Sequence, residues 1–129
     1  KDNRFLIPAS VSEYTFKAIS KEFDLIGHET TVIGYSQGGF ALPWFGRVLP
    51  TTKKLIGLAC GHVERFFPEK LDMPLYSIHG EDDHIIPVDL AEKQFQDITS
   101  RTAGGQFIKA KGSHGLSEPM IAALIELLK

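Results

Sequence analysis

Apolar runs alternate with amphipathic stretches along this chain, which predicts strands and helices in turn. Residues Arg4-Phe-Leu-Ile-Pro8 read as a short buried strand closed by a proline. Ser10 and Glu13 then form an S-x-x-E capping box. Phe16, Ile19, Phe23 and Ile26 follow at spacings of three and four, one apolar helix face closing near Gly27. The β-branched run Thr30-Thr-Val-Ile33 predicts a buried strand, and the segment after it a helix over 37–49 that Pro50 stops. Pro43, inside that helix, is expected to kink it or to cost about 3 kcal/mol. Apolar runs over 55–60, 74–79 and 106–110 predict three further strands. Between them, 62–72 reads as irregular chain carrying Phe66 and Phe67, and 88–98 as a helix with Ala91, Phe95 and Ile98 on one side. Ser117 caps a last helix whose apolar face is Met120, Ile121, Leu124, Ile125 and Leu128.

This order predicts an α/β fold in one domain over 1–129, a parallel sheet of about five strands joined by right-handed crossovers. In such sheets ligands sit beyond the carboxyl ends of the strands. That rule gathers the loop at 8–10, Ser36, the loop after His79 and the loop after Ala110. If the strands progress in one direction, the connecting helices share one face and the last helix lies nearly alone on the other. Uncovered apolar surface and an unpaired edge strand over 4–8 then predict a homo-oligomer, most simply a two-fold dimer.

Composition narrows the function. The 129 residues carry a formal net charge of −2 and no long run of either sign, so neither a nucleic-acid groove nor a polybasic membrane patch is indicated. No stretch approaches the roughly 20 apolar residues of a membrane span, and no cleavable signal is visible, so a cytoplasmic setting is expected. Cys60 is the single cysteine, too few for an intrachain disulfide or a cysteine-based zinc site. The chain opens on Lys1 rather than methionine, which leaves room for an original N-terminus upstream.

The chemistry starts at Gly34-Tyr-Ser-Gln-Gly38, a G-x-S-x-G pattern placed between a strand and a helix. There a serine is lifted on a tight turn, and Gly34 and Gly38 are expected to avoid a backbone collision there. A serine hydroxyl needs a base to take its proton, and the base needs an orienting partner. His79-Gly-Glu-Asp-Asp-His-Ile-Ile-Pro87 and Gly112-Ser-His114 supply an acid and a base, in that order, at strand carboxyl ends. Asp83 is the expected acid, with Asp82 the second choice and Glu81 a solvated loop charge. The backbone N–H of Gln37, at a helix N-terminus, is positioned to donate to an oxyanion. Trp44, Phe45, Phe66 and Phe67 are candidate walls of an acyl pocket or plain core. His62 and His84 are candidates to line the site or ordinary loop residues, His79 a residue packed at a strand end, and His28 an exposed one. The five histidines have no zinc-binding spacing.

Taken together, Gly34-Tyr-Ser-Gln-Gly-Gly39, His79-Gly-x-x-Asp83-x-x-Ile-Pro87 and Gly112-x-His114 resemble the phospholipase/carboxylesterase branch of the α/β-hydrolases, which includes acyl-protein thioesterases. The resemblance runs from about Phe16 onward. It implies a minimal α/β-hydrolase fold, a Ser36–Asp83–His114 triad, and hydrolysis of a short- to medium-chain acyl ester, or of a thioester or lysophospholipid by the same triad. It implies no metal and no organic cofactor. Trp44, His62 and Phe66 become the expected substrate-binding residues. The family also has an early strand with an His-Gly-type loop that supplies a second oxyanion donor, and no such loop precedes Ser36. Three explanations stand side by side: N–H groups near Ala9 or Ser10 complete the hole, a partner subunit does, or the chain is an inactive piece that serves as a binding or assembly domain.

Overall fold

The computed structural model describes residues 7–23 and 27–129. Four strands, β1 (Thr30–Tyr35), β2 (Thr52–Leu58), β3 (Leu75–Gly80) and β4 (Gly105–Ala110), form one sheet in the order β1-β2-β3-β4, every pair parallel. Among them run helices α1 (Ile7–Glu22), α2 (Gln37–Val48), α3 (Val88–Ile98) and α4 (Glu118–Leu128).

Because the strands progress in one direction, the right-handed crossovers put α2 and α3 on one face. There Leu42 from α2 and Phe95 and Ile98 from α3 pack on Leu55 and Leu75 of the strands, with Phe67 and Leu71 closing the layer. On the opposite face Ile56, Leu58, Ile78 and Ala110 meet Met120, Ala123, Leu124 and Leu127 of α4. The lone position of the last helix therefore matches the expectation from the sequence.

Three elements depart from the reading of the sequence. Of the strand expected over 4–8, residues 4–6 lie outside the described residues, while Ile7 and Pro8 open α1. A proline in the first turn costs a helix nothing, because the N–H it lacks has no partner there. Ala9 and Ser10 accordingly sit in a helical turn rather than in a loop after a strand. The face expected for α1 is not its buried face either. Phe23 is 65% exposed and Ile19 40%, while Ser12 is buried, because α1 packs chiefly on α2 and reaches little of the sheet.

In α4 the buried side runs through Met120, Ala123, Leu124 and Leu127, leaving Ile121, Ile125 and Leu128 exposed. This helix is apolar nearly all round, so periodicity cannot single out the side that meets β3 and β4. The second strand, finally, starts at Thr52 rather than at Leu55. Its two lysines conceal the beginning, and Lys54, half-buried, donates to the Leu127 carbonyl and lies over the Tyr76 ring.

Candidate active site

The elbow follows from where β1 stops. Ser36 directly follows Tyr35 with φ of 50°, a left-handed conformation that a non-glycine residue adopts only when its surroundings enforce it. Its N–H still donates across the sheet to the Leu58 carbonyl at 2.9 Å, while its own carbonyl already accepts from Gly39 N–H at 3.0 Å. The chain thus passes from strand to helix within one residue. A Cβ on Gly34 would lie 2.5 Å from the Gly38 carbonyl oxygen, a collision of backbone with backbone. At Gly38 the space is open. The second tight position is Gly39, whose Cβ would stand 2.3 Å from Cys60 Sγ. The expectation for Gly38 is corrected for a tertiary reason, since the obstacle comes from the end of β2.

Three strand ends bring three side chains together. Ser36 Oγ lies 3.0 Å from His114 Nε2, and His114 Nδ1 lies 2.8 Å from Asp83 Oδ2. With Nδ1 facing a carboxylate, its proton sits there, which leaves Nε2 as an acceptor for the serine hydroxyl. The acid and base loops meet closely: a Cβ on Gly80 would come within 2.4 Å of both the Gly112 and Ser113 carbonyl oxygens. Asp82 points to solvent, with its N–H donating to the Gly112 carbonyl, so it is Asp83 that reaches the imidazole.

Asp83 is only 4% exposed. Burial opposes its charge and is the largest single influence. The Ile86 N–H, the His114 imidazole and the Ile85 N–H together outweigh it and hold the carboxyl below its ordinary value. Both backbone groups donate to Oδ1, each at 2.8 Å. Tyr35, which the reading of the sequence passed over, donates its hydroxyl to the His114 carbonyl at 2.7 Å and lays its ring 5.8 Å from the imidazole. Strand alternation places Tyr35 opposite Gly34, and only the fold shows that the histidine loop passes on that side.

Gln37 is the first residue of α2, so its N–H belongs to the helix turn that lacks intrahelical acceptors. Trp44, His62 and Phe66 share the wall of one small cavity, about 20 Å³, with Phe40, Pro43, Val63 and Phe67. The Trp44 indole donates to the Phe66 carbonyl at 3.1 Å, and the His62 ring stands edge-on to Phe67 at 5.7 Å. Burial pushes His62 down to about 4 and the Cys60 thiol up to about 12, so neither carries charge at neutral pH. His28 and His84 are exposed. A larger cleft of about 330 Å³ lies at the opposite, amino ends of the strands, lined by Arg47, Thr52 and Met73, away from Ser36. Among the described residues no cluster of three or more His, Cys, Asp or Glu is placed to hold a metal.

No family model and no curated protein matches the sequence. Solved structures do match the fold. Esterase PE8 superposes with a TM-score of 0.64 at 23% identity, over 77% of this chain and 48% of its own. Acyl-protein thioesterase 2 of Zea mays superposes with a TM-score of 0.60 at 15% identity, over 76% and 54%. SOBER1 of Arabidopsis thaliana gives 0.69 at 17% identity, over all of this chain and 67% of its own. This chain thus spans about half the length of esterase PE8 and of the Zea mays thioesterase. Over that shared part it has the fold of the α/β-hydrolases.

Proposed function

We propose that the chain is a serine hydrolase, a single catalytic domain over 1–129 that cleaves short- to medium-chain acyl esters. One observation carries this reading: a serine on a strained strand-to-helix turn, 3.0 Å from an imidazole whose other nitrogen is held by a buried carboxylate. Ser36 attacks the ester carbonyl while His114 takes its proton. The tetrahedral oxyanion is met by the Gln37 N–H at the α2 N-terminus. His114 returns the proton to the departing alcohol, leaving an acyl-enzyme on Ser36 that water then hydrolyses by the same route. Asp83 keeps the imidazole in its Nδ1–H tautomer and stabilises the imidazolium.

Ala9 and Ser10, in the first turn of α1, are assigned the second oxyanion donor, and of the two it is the Ala9 N–H that lacks an intrahelical acceptor. Without one donor the barrier rises by about 3–4 kcal/mol. Trp44, His62 and Phe66 are assigned to the acyl chain, whose entry requires their cavity of about 20 Å³ to widen. No helix among the described residues is long and apolar enough to cross a membrane, and a cytoplasmic setting belongs to the same proposal.

Rates on a panel of p-nitrophenyl esters and matching thioesters of graded acyl length test this reading. Turnover is expected in the wild type and not in Ser36→Ala. The wild type failing on the whole panel while still binding an acyl ligand would favour the binding-domain alternative, and faster thioester cleavage would make it a thioesterase.

A dimer belongs to the proposal as well. Within the described sheet β1 is an edge, and its Ile33 and Tyr35 are each 43% exposed. Light scattering at micromolar concentration is expected to give twice the chain mass, and a monomer there removes the dimer from the reading.

A further inference from the structure

We propose that His79 is a positioning residue for the acid, an inference that rests on reading Ser36, Asp83 and His114 as a catalytic triad. Its side chain is fully buried at the end of β3 and lies flat against Phe107 of β4, with ring centroids 6.0 Å apart and planes 22° apart. Nε2 is 2.7 Å from the Ile86 carbonyl oxygen and 3.3 Å from Asp83 Oδ2. Both neighbours are acceptors, so Nε2 carries the proton. Nδ1 is buried with no hydrogen-bond partner, so the polar contacts of this ring are made through Nε2.

His79 therefore completes a four-point grip on the carboxylate. Oδ1 receives the N–H groups of Ile85 and Ile86, while Oδ2 receives His114 and, at longer range, His79. Ile86 is held at both of its backbone polar groups, its N–H by Asp83 and its carbonyl by His79. Rotation of the carboxylate would break at least two of these bonds together, and a flip of the peptide after Ile86 would break the one that anchors His79. A carboxylate held this way keeps one oxygen aimed at His114 Nδ1, which in turn keeps Nε2 free to accept from Ser36. Partners that orient a metal ligand from behind typically change activity by about 10- to 100-fold, and a loss of that order is expected where an orienting group stands behind the acid.

The test uses the full chain and two variants. His79→Phe keeps a ring against Phe107 and removes the N–H, whereas His79→Gln returns an amide N–H near the place of Nε2. Proton NMR follows the far-downfield His114 Nδ1–H, and a fluorophosphonate probe follows Ser36. In His79→Phe the resonance is expected to shift or broaden and labelling to slow by roughly 10- to 100-fold, with ester KM unchanged. His79→Gln is expected to restore most of both. Should His79→Phe not fold, His79→Leu takes its place in the same comparison. Wild-type resonance and labelling in a folded His79→Phe would overturn the proposal, as would an equal loss in His79→Gln, which points to packing alone. If the wild type itself resists the probe, the triad reading fails. The resonance in the two variants then still decides whether His79 orients the acid.

Discussion

Asp83→Asn is expected to lower kcat on p-nitrophenyl esters by about 10⁴-fold, while Asp82→Asn stays within about twofold of the wild type. The difference comes from one atom. In the wild type Asp83 Oδ2 is an acceptor 2.8 Å from His114 Nδ1, which places the imidazole proton there and leaves Nε2 to accept from Ser36 Oγ. The amide introduced by Asp83→Asn keeps its carbonyl where the Ile85 and Ile86 N–H groups demand an acceptor, so its NH₂ faces His114. The imidazole must then accept at Nδ1 and carry its proton on Nε2, where it faces the serine as a donor and takes no proton from it. Geometry is preserved and chemistry is lost, a pattern typical of a tautomer fault. Asp82 is exposed and holds the loop by its backbone N–H, which the substitution does not touch. Thermal melts of both variants check that they fold. An equal loss in the two, or near-normal turnover in Asp83→Asn, would remove Asp83 from the mechanism.

What the residues disclosed beforehand divides along local and tertiary lines. Leu55-Ile-Gly-Leu and the run ending at His79 are apolar because parallel strands are covered on both faces, so their sequence alone marks them. The 88–98 helix is legible for the converse reason: Ala91, Phe95 and Ile98 are buried on one side and its charges lie on the other. Ser36, Asp83 and His114 come forward because strand-end loops carry them in a fixed order. Three kinds of information stay hidden. A helix apolar all round, such as α4, does not declare which side is inside. A proline is ambiguous, since Pro8 suits a strand end and a first helical turn equally well. Contacts set by neighbouring strands are not local at all, as with Gly39 against Cys60, Tyr35 under the His114 loop and His79 behind Asp83. The candidate residues were readable as a set of types in order, and the groups that hold them in place were not.

Stability is expected to fall by about 3 kcal/mol as pH drops from about 6.5 to about 4, because of His62. The folded protein holds this imidazole neutral until about 4, against an ordinary value of 6.5. Its surroundings explain why. The ring is 2% exposed, Nδ1 has no partner, and Nε2 lies 4.0 Å from the Cys60 sulfur, whose thiol is itself neutral. The rest of the cavity wall is Phe40, Pro43, Trp44, Val63, Phe66 and Phe67, none of which offers a counter-charge. Between the two values the unfolded chain binds a proton that the folded chain does not, so acid favours unfolding across that window and neutral pH restores the fold. Asp83 acts in the same direction but lower. Its folded value lies below 3.8, so its contribution is intact above that point and fades only as pH falls past it. The windows are therefore separable in urea titrations run across the range. His62→Leu is expected to abolish most of the slope between about 6.5 and about 4 while leaving the loss below 3.8 in place. The same slope in wild type and variant would show that His62 is already protonated in the folded protein, and the cavity beside Trp44 and Phe66 would then be open to water.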